Sequence, residues 1–143
     1  MALRGFKRYL KLMKNIENPF EYILHKGKRH KRSLVFTTLP NKIRIEVPAS
    51  IYILFKEIFM SDVYAIDELV KKIPSKPVIV DIGANVGFFD ILILSKLPEA
   101  KIYAYEPVEA NVANVKKIMK DNPSVQQAVS IYPYAVTGKP SEA

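Results

Sequence analysis

The stretch "VIVDIGANVGFFDIL", residues 78–92, decides the fold of this chain. Apolar, mostly β-branched residues lead to Asp81, a turn containing Gly83 and Gly87 follows, and the sequence then becomes apolar again. This order is typical of a buried strand, a glycine turn and a helix. In an open parallel sheet, the loop after the first strand is the usual place for a ligand, so the turn is also the first candidate site.

Strand and helix patterns alternate after this stretch. Residues 101–107, "KIYAYEP", predict a second strand, and residues 108–123 predict a helix with Pro107 at its first position. Residues 129–136, "VSIYPYAV", predict a third strand. The apolar face of the predicted helix comprises Val108, Val112, Val115 and Met119. Such alternation predicts an α/β fold in which right-handed crossovers join the strands of a parallel sheet.

The first half of the chain has a different pattern. Leu3, Phe6, Leu10 and Met13 recur at helical spacing among lysines and arginines, so residues 3–16 predict a basic amphipathic helix. Residues 34–47 alternate around the turn Pro40-Asn41 and predict a β-hairpin, and residues 65–73 predict a short helix. The period of residues 51–60 does not decide between helix and strand. We expect two regions, with the basic helix and hairpin in residues 1–56 and the partial sheet domain in residues 57–143.

Composition and charge limit the classes of function. The 143 residues are 49% hydrophobic and contain no cysteine, which fits about one globular domain and excludes disulfides and thiolate zinc sites. His25 and His30 lie in the basic stretch "HKGKRH", which contains no carboxylate, so no metal site is expected. Residues 1–32 hold ten Lys/Arg and two acids, which accounts for the whole net charge of +8. This block would favour an anionic surface, either a membrane or a nucleic acid.

No run approaches the ~18 apolar residues that a membrane span needs. Basic residues interrupt every apolar run near the N-terminus, so no secretory signal is predicted either. We therefore expect a cytoplasmic protein, and one interpretation of the basic helix is a weak contact of residues 1–32 with the membrane surface. The alternative, which we favour, is that the apolar stripe of this helix packs on its own domain while the lysines face water.

The glycine turn does not have the residues of a dinucleotide site. A G-x-G-x-x-G pattern beginning at Gly83 would need glycine at 85 and 88, where the chain has Asn85 and Phe88. Asp81 would also stand beside the pyrophosphate. Two negative charges about 4 Å apart repel by roughly 4 kcal/mol at an effective dielectric constant of about 20. A ligand group with positive charge would instead be attracted.

Glu106 closes the second strand, 19 positions after Gly87. A carboxylate at this distance suits the ribose hydroxyls of a nucleoside. Together with Asp81, it predicts a ligand that is a nucleoside, carries positive charge and lacks phosphate. S-adenosylmethionine, with its sulfonium, ammonium and adenosine groups, meets these demands.

Three segments also resemble a known family. "VIVDIGANVGFFDIL", "KIYAYEPVEANVANVKKIMKDN" and "YAVTG" look like the corresponding motifs of the FkbM family of S-adenosylmethionine-dependent methyltransferases. The resemblance covers about residues 58–138. It implies a Rossmann-like class I methyltransferase fold, S-adenosylmethionine as cofactor, and O-methylation of a small-molecule or glycan acceptor.

The resemblance also implies roles for individual residues. Asp81 would face the methionine amino group or its water, the turn would let the backbone approach the methionine moiety, and Glu106 would hold the two ribose hydroxyls. Tyr134 departs from the small polar residue that the family has more often. Structural alternatives are a helix cap at Asp81 and a cap at Glu106; Asp90 receives no role. The residues assigned to the cofactor are Asp81, Gly83, Ala84, Asn85, Gly87, Glu106 and Pro107, and Val108 is an alternative to Pro107 beside the adenine.

The family's sheet has seven strands in the order 3-2-1-4-5-7-6, and this chain supplies strands 1 to 3. We therefore expect an incomplete fold without the acceptor-binding half, in which Asp62 and Tyr64 border the site and no catalytic base is identified. The open edge of strand 1 implies a truncated chain, a strand from a partner such as a second copy, or cover by the hairpin.

Two functions of other classes stay open. Glu106 alone would support half of an NAD-dependent oxidoreductase. The basic helix would support a non-catalytic fragment that binds a membrane or a nucleic acid.

Overall fold

A computed structural model describes residues 4–25 and 32–138 of the chain. Within them, the helices are α1 (Lys7–Asn15), α2 (Phe20–Leu24), α3 (Tyr52–Phe59), α4 (Ile66–Leu69), α5 (Phe88–Lys96), α6 (Glu109–Asp121) and α7 (Pro123–Ala128), and a 3-10 turn (Ala49–Ile51) precedes α3. The strands are β1 (Leu34–Thr37), β2 (Arg44–Val47), β3 (Val78–Ile82), β4 (Lys101–Tyr105) and β5 (Val129–Tyr132). Leu3 of the predicted basic helix and His30 lie outside the described residues.

The second half of the chain forms a parallel sheet in the order β3-β4-β5. Helix α5 connects β3 to β4, and α6 with α7 connects β4 to β5. The predicted parallel sheet with helical crossovers is therefore confirmed, and this mixed α/β structure is compatible with a Rossmann-like fragment. The carboxyl ends of the three strands lie side by side, since Ile82 pairs with Tyr105 and Tyr105 pairs with Tyr132.

Only one face of this sheet is covered. Ile102 and Ala104 of β4 are buried against the helices, whereas Val78, Val80 and Ile82 of β3 are 71%, 60% and 63% exposed. The interpretation of residues 78–82 as a fully buried strand is therefore wrong for one face. Both crossovers place their helices on the same side, because the strand order proceeds in one direction.

The β1–β2 hairpin is confirmed, with Leu34 opposite Val47 in an antiparallel ladder. It forms a separate two-stranded sheet, so it does not cover the outer edge of β3. Within the described residues, β3 pairs with β4 alone. The idea that the hairpin covers this edge is thus wrong.

Helix α5 is buried around most of its circumference and packs against α3 and α7. This explains why "FFDILILS" is apolar around the whole helix, with Phe88, Ile91, Leu92, Ile93 and Leu94 all buried. The sequence left residues 51–60 undecided, and the whole of α3 lies within them. Position 56, where the first predicted region ends, therefore lies inside this helix.

The face of helix α1 that is buried differs from the face that the sequence predicted. Phe6, Leu10 and Met13 are exposed, so the expectation that this stripe packs on the domain is wrong. The buried face instead contains Lys11 and Asn15 beside Leu12. Polar contacts favour burial of this face. The Asn15 side-chain amide donates a hydrogen bond to the Phe59 carbonyl oxygen at 3.0 Å, and Lys11 forms an ion pair with Asp62 in an acidic cluster described below.

Other differences concern boundaries. Helix α6 begins at Glu109, so the prediction that Pro107 is its first residue is wrong. Val108 is exposed, and Ile118 rather than Met119 completes the buried face of the helix. Strand β5 ends at Tyr132, because Pro133 lacks the N–H that would continue the ladder. Helix α7 was not predicted, and α4 is shorter than residues 65–73. No helix in the described part of the chain has the length and apolar character to cross a membrane.

Candidate active site

Asp81 and Glu106 lie at the ends of neighbouring parallel strands. Asp81 pairs with Ala104 in the sheet register, and Glu106 directly follows the last residue of β4. Burial raises the pKa of Asp81, contact with the Asp90 carboxyl lowers it, and the negative charge of Glu106 raises it further. The Asp81 and Glu106 carboxylates are therefore close enough to act on each other, at the carboxyl edge of the sheet.

The glycine turn folds over the end of β4. The backbone N–H groups of Gly83 and Ala84 both donate to the carbonyl oxygen of Tyr105, at 2.8 and 3.1 Å. Gly83, Asn85 and Gly87 have φ angles of 82°, 52° and 81°. Glycine adopts such angles without steric cost, and asparagine tolerates them better than most residues. These three residues therefore allow the tight turn, and the two glycines leave no side chain over the ends of the strands.

Helix α6 holds the far end of the turn. A Cβ atom placed on Gly87 would lie 2.9 Å from Val115 Cγ2, so glycine is needed for this close approach. The side-chain amide of Asn114 also donates to the Val86 carbonyl oxygen at 2.9 Å. The position of the loop after β3 thus depends on the helix that follows β4.

Glu106 connects the turn to the start of α6. Its side chain is 4% exposed, and Oε2 accepts a hydrogen bond from the Asn85 N–H at 2.8 Å. Oε1 accepts from the Val108 N–H at 2.9 Å and from the Asn111 amide at 3.3 Å. A carboxylate offers about four acceptor positions, so one position on Oε2 remains for a ligand hydroxyl. Glu106 thus binds the backbone ahead of α6, but the N-cap residues of α5 and α6 are Gly87 and Val108, so the alternative roles of Asp81 and Glu106 as helix caps are not found.

Asp90 belongs to the site, although the sequence interpretation gave it no role. It lies in the first turn of α5 and is 1% exposed. Neither of its carboxylate oxygens accepts a hydrogen bond from a donor in the described part of the chain. Burial, and then the charge of Asp81 and the contact with it, raise the pKa of Asp90 well above its ordinary value. The sequence did contain one indication of a role for Asp90, since it is a single acidic residue within an otherwise apolar helix.

The remaining predicted residues are divided between the site and its surroundings. Pro107 is exposed beside Glu106. Tyr64 packs edge-on against Phe89 and lines a small pocket of ≈ 60 Å³ together with Asn85. Asp62 instead contacts Lys11 and accepts a hydrogen bond from the Ile66 N–H.

Tyr134 is exposed beyond the end of β5. The sequence interpretation had left contacts from the third strand to the adenine open at this residue. Its backbone N–H donates to the Tyr132 carbonyl oxygen at 2.9 Å, and no strand continues to its position.

The site is acidic and has no neighbouring cation. Among residues 4–25 and 32–138, no lysine or arginine forms an ion pair with Asp81, Asp90 or Glu106. The same residues contain no group of three histidine or acidic side chains arranged to hold a metal ion. Chemically, the arrangement suits an organic cation, since it offers carboxylate acceptors and backbone close to a tight turn.

Comparison with known proteins gives similarity over a limited part of the chain. No family model matches it. A stretch of 54 residues, 38% of the chain, is 48% identical to "Methyltransferase sdnD" of Sordaria araneosa and covers 19% of that protein. A stretch of 54 residues is 41% identical to "AMB antimetabolite synthetase AmbE" of Pseudomonas aeruginosa and covers 2% of it. The chain thus spans a small fraction of both relatives, and its similarity to the first supports a methyltransferase-like function.

Proposed function

We propose that this chain is the cofactor-binding part of an S-adenosylmethionine-dependent methyltransferase of the FkbM type. The observation that carries the proposal is the acidic end of the β3–β4 pair, where Asp81 and Glu106 lie beside a tight glycine turn and pair with no lysine or arginine of the described residues. Similarity over 54 residues to a protein named as a methyltransferase supports the same function.

The residues present fit the chemistry of this cofactor. Its methionine part carries an ammonium group, and the buried oxygens of Asp90, which lack a donor, stand next to Asp81. Its ribose carries two hydroxyls, and one of them can donate to the acceptor position that remains on Glu106 Oε2. A phosphate ligand would instead place further negative charge beside three carboxylates, which is unfavourable. We assign the methionine end to Asp81 and the Gly83–Gly87 turn, and the ribose to Glu106.

When bound, the cofactor would supply a methyl group on a sulfonium for transfer to a nucleophile. The chain's own residues would orient the cofactor and exclude water from one side of it. We propose a hydroxyl of a small molecule or glycan as the acceptor. No described side chain is assigned as the base that removes its proton, so we expect little or no turnover by this chain alone.

The proposal is tested by isothermal calorimetry with S-adenosylmethionine and S-adenosylhomocysteine. We expect both to bind the folded chain, and Asp81→Asn to weaken binding at least about tenfold, since about 1.4 kcal/mol of attraction is lost. Asp121→Asn is the matched control, because Asp121 pairs with Arg44 at the opposite end of α6 and should leave affinity unchanged. No heat at millimolar ligand from a folded sample would refute the proposal.

NADH provides the comparison for the oxidoreductase alternative. We expect S-adenosylhomocysteine to raise the Tm of the chain and NADH to leave it unchanged, since a ligand raises the Tm only if it binds the folded protein. The opposite result would favour the dinucleotide interpretation.

One observation favours a second activity, membrane binding through α1. Phe6, Leu10 and Met13 are exposed on a helix that also carries Lys7 at its start. Exposed apolar and basic side chains on one short helix are the pattern of an interfacial anchor. We propose weak contact with anionic membranes as an addition to cofactor binding.

A further inference from the structure

The carboxyl of Asp90 requires an explanation beyond the fold. It is 1% exposed, and no donor in the described part of the chain reaches either oxygen. A buried carboxylate without hydrogen bonds is unfavourable by several kcal/mol. The group facing it is the carboxyl of Asp81, another acceptor when ionised. Contact between two carboxyls is favourable only when one of them holds a proton, as in other buried carboxyl pairs.

In the described part of the chain, no cationic side chain offsets the negative charge of an ionised Asp90. Helices α3 and α7 also pack against α5. The charged residues of α3 are Lys56 and Glu57, α7 has none, and neither Lys56 nor Glu57 acts on Asp90. Glu106, beyond the end of β4, adds a third negative charge that acts on Asp81. Within the described residues, the only charged group found to act on this pair is therefore the Glu106 carboxylate, and no lysine or arginine does so.

We propose that Asp81 and Asp90 share one proton when no cation is bound, and that the pair releases it to solvent when the cofactor's ammonium group binds at Asp81. Asp90 is then a specificity-determining residue that rests on the proposed function, because it makes the site require a ligand with positive charge. The step is balanced, since one proton leaves the pair, one cationic group arrives, and no covalent bond other than the carboxyl O–H breaks.

This arrangement distinguishes two adenosine compounds. S-adenosylhomocysteine keeps the ammonium group, whereas 5′-methylthioadenosine has neither the ammonium nor the carboxylate of the amino acid. Only the first can replace the shared proton with a positive charge of its own. We therefore expect proton release with S-adenosylhomocysteine and none with 5′-methylthioadenosine.

Calorimetry of the wild-type chain in buffers of different ionisation enthalpy measures the released proton directly. Between pH 5 and 8, we expect release approaching one proton per S-adenosylhomocysteine at the acidic end. Affinity should rise by up to about tenfold per pH unit there and level off as the pair loses its proton in the free protein. Binding without proton exchange, or equal release with 5′-methylthioadenosine, would overturn the inference.

Asp90→Asn tests the role of the second carboxyl. The amide can donate to an ionised Asp81, so we expect binding to persist with little proton release and a nearly flat pH dependence from 6 to 8. Glu99→Gln is the control, because it removes one negative charge in an exposed pair with Lys76 at the other end of the sheet. Unchanged proton release in Asp90→Asn would contradict the proposal.

The two proposals fail in different ways. If the folded wild-type chain binds no S-adenosylhomocysteine, the proposed function is lost together with this inference. If it binds without releasing a proton, only the shared proton is refuted. If Asp90→Asn does not fold, proton release by the wild-type chain with S-adenosylhomocysteine and with 5′-methylthioadenosine still tests whether the pair shares a proton.

Discussion

Gly87 shows how a single residue couples the turn to the rest of the fold. Its φ of 81° is a left-handed conformation, which costs other residues about 1–2 kcal/mol. A Cβ would in addition lie 2.9 Å from Val115 Cγ2, a contact that requires movement of α6. Gly83 has nearly the same φ, but a Cβ there would meet nothing within 4 Å.

We predict that Gly87→Ala lowers the free energy of unfolding by about 3 kcal/mol and Gly83→Ala by about 1 kcal/mol. Urea denaturation measures both, and Gly83→Ala is the matched control for backbone strain alone. Equal losses would mean that Val115 moves aside without cost. Adding Val115→Ala to Gly87→Ala should restore part of the stability, because it removes the atom in contact.

Some residues of the candidate site could be predicted from the sequence and others could not. The positions of Asp81 and Glu106 follow from local pattern, because each acid comes at the end of an apolar strand and the ends of parallel strands meet. The role of Asp90 does not follow, because it depends on which side of α5 faces β3. The hydrogen bonds from Asn111 and Asn114 depend in the same way on the packing of α6.

At the scale of elements, an ion cluster joins α1, α4 and α5. Lys11 lies 2.7 Å from Asp62 and 2.8 Å from Asp67, while Lys14 and Lys96 lie 2.6 and 3.1 Å from Asp67. Burial opposes ionisation of Asp67, but hydrogen bonds from the three lysines outweigh it and hold its pKa well below the ordinary range. Part of the basic block is thus neutralised within the molecule.

We predict that Asp67→Asn lowers the free energy of unfolding by about 3 kcal/mol, because the buried Lys11 and Lys96 lose a counter-charge. Chemical denaturation at pH 7 measures the change. Glu68→Gln is the control, since its pair with Lys71 is exposed and should contribute nothing measurable. A loss equal to that of the control would mean that the cluster does not stabilise the fold.

The same cluster predicts a pH dependence. Asp67 has a lowered pKa in the folded state, so its contribution is present above its ordinary value of 3.8 and is lost as the pH falls from there toward the folded-state pKa. Wild-type stability should therefore fall on acidification below about pH 4, and this part of the fall should be absent in Asp67→Asn.

Membrane contact also belongs to the element scale, because it depends on α1. We predict that the chain floats with anionic vesicles more than with zwitterionic ones, and that Leu10→Ser reduces flotation several-fold. Val136→Ser is the control, as it removes another exposed apolar side chain outside α1. An effect that persists unchanged at high salt would contradict an electrostatic contribution. Retention on DNA with no vesicle binding would favour the nucleic-acid alternative instead.

For the whole molecule, the main feature is the uncovered side of the parallel sheet. Val78, Val80 and Ile82 are exposed along β3, and the outer edge of this strand is unpaired within the described residues. Tyr103 continues the exposed apolar surface onto β4. An apolar strand with free N–H and C=O groups is a template for pairing with another chain.

We predict that a second copy of the chain pairs with this edge, so that sedimentation velocity shows concentration-dependent dimers. Val80→Lys should shift the equilibrium at least tenfold toward monomer, because a charge would enter the apolar contact. Val136→Lys, which adds the same charge at an exposed position outside β3, is the control. A monomer at all concentrations up to the millimolar range would contradict the prediction.

The sequence by itself determined the elements whose signal is local. The strands β3, β4 and β5, the helices α5 and α6, the hairpin and the glycine turn all follow from residue period and turn chemistry within about 15 residues. Tertiary structure alone decided the rotation of α1, the helical state of residues 52–59, the open sheet face and the place of Asp90. The physical reason is that these features depend on contacts between residues far apart in the chain, such as Lys11 with Asp67, which no local pattern contains.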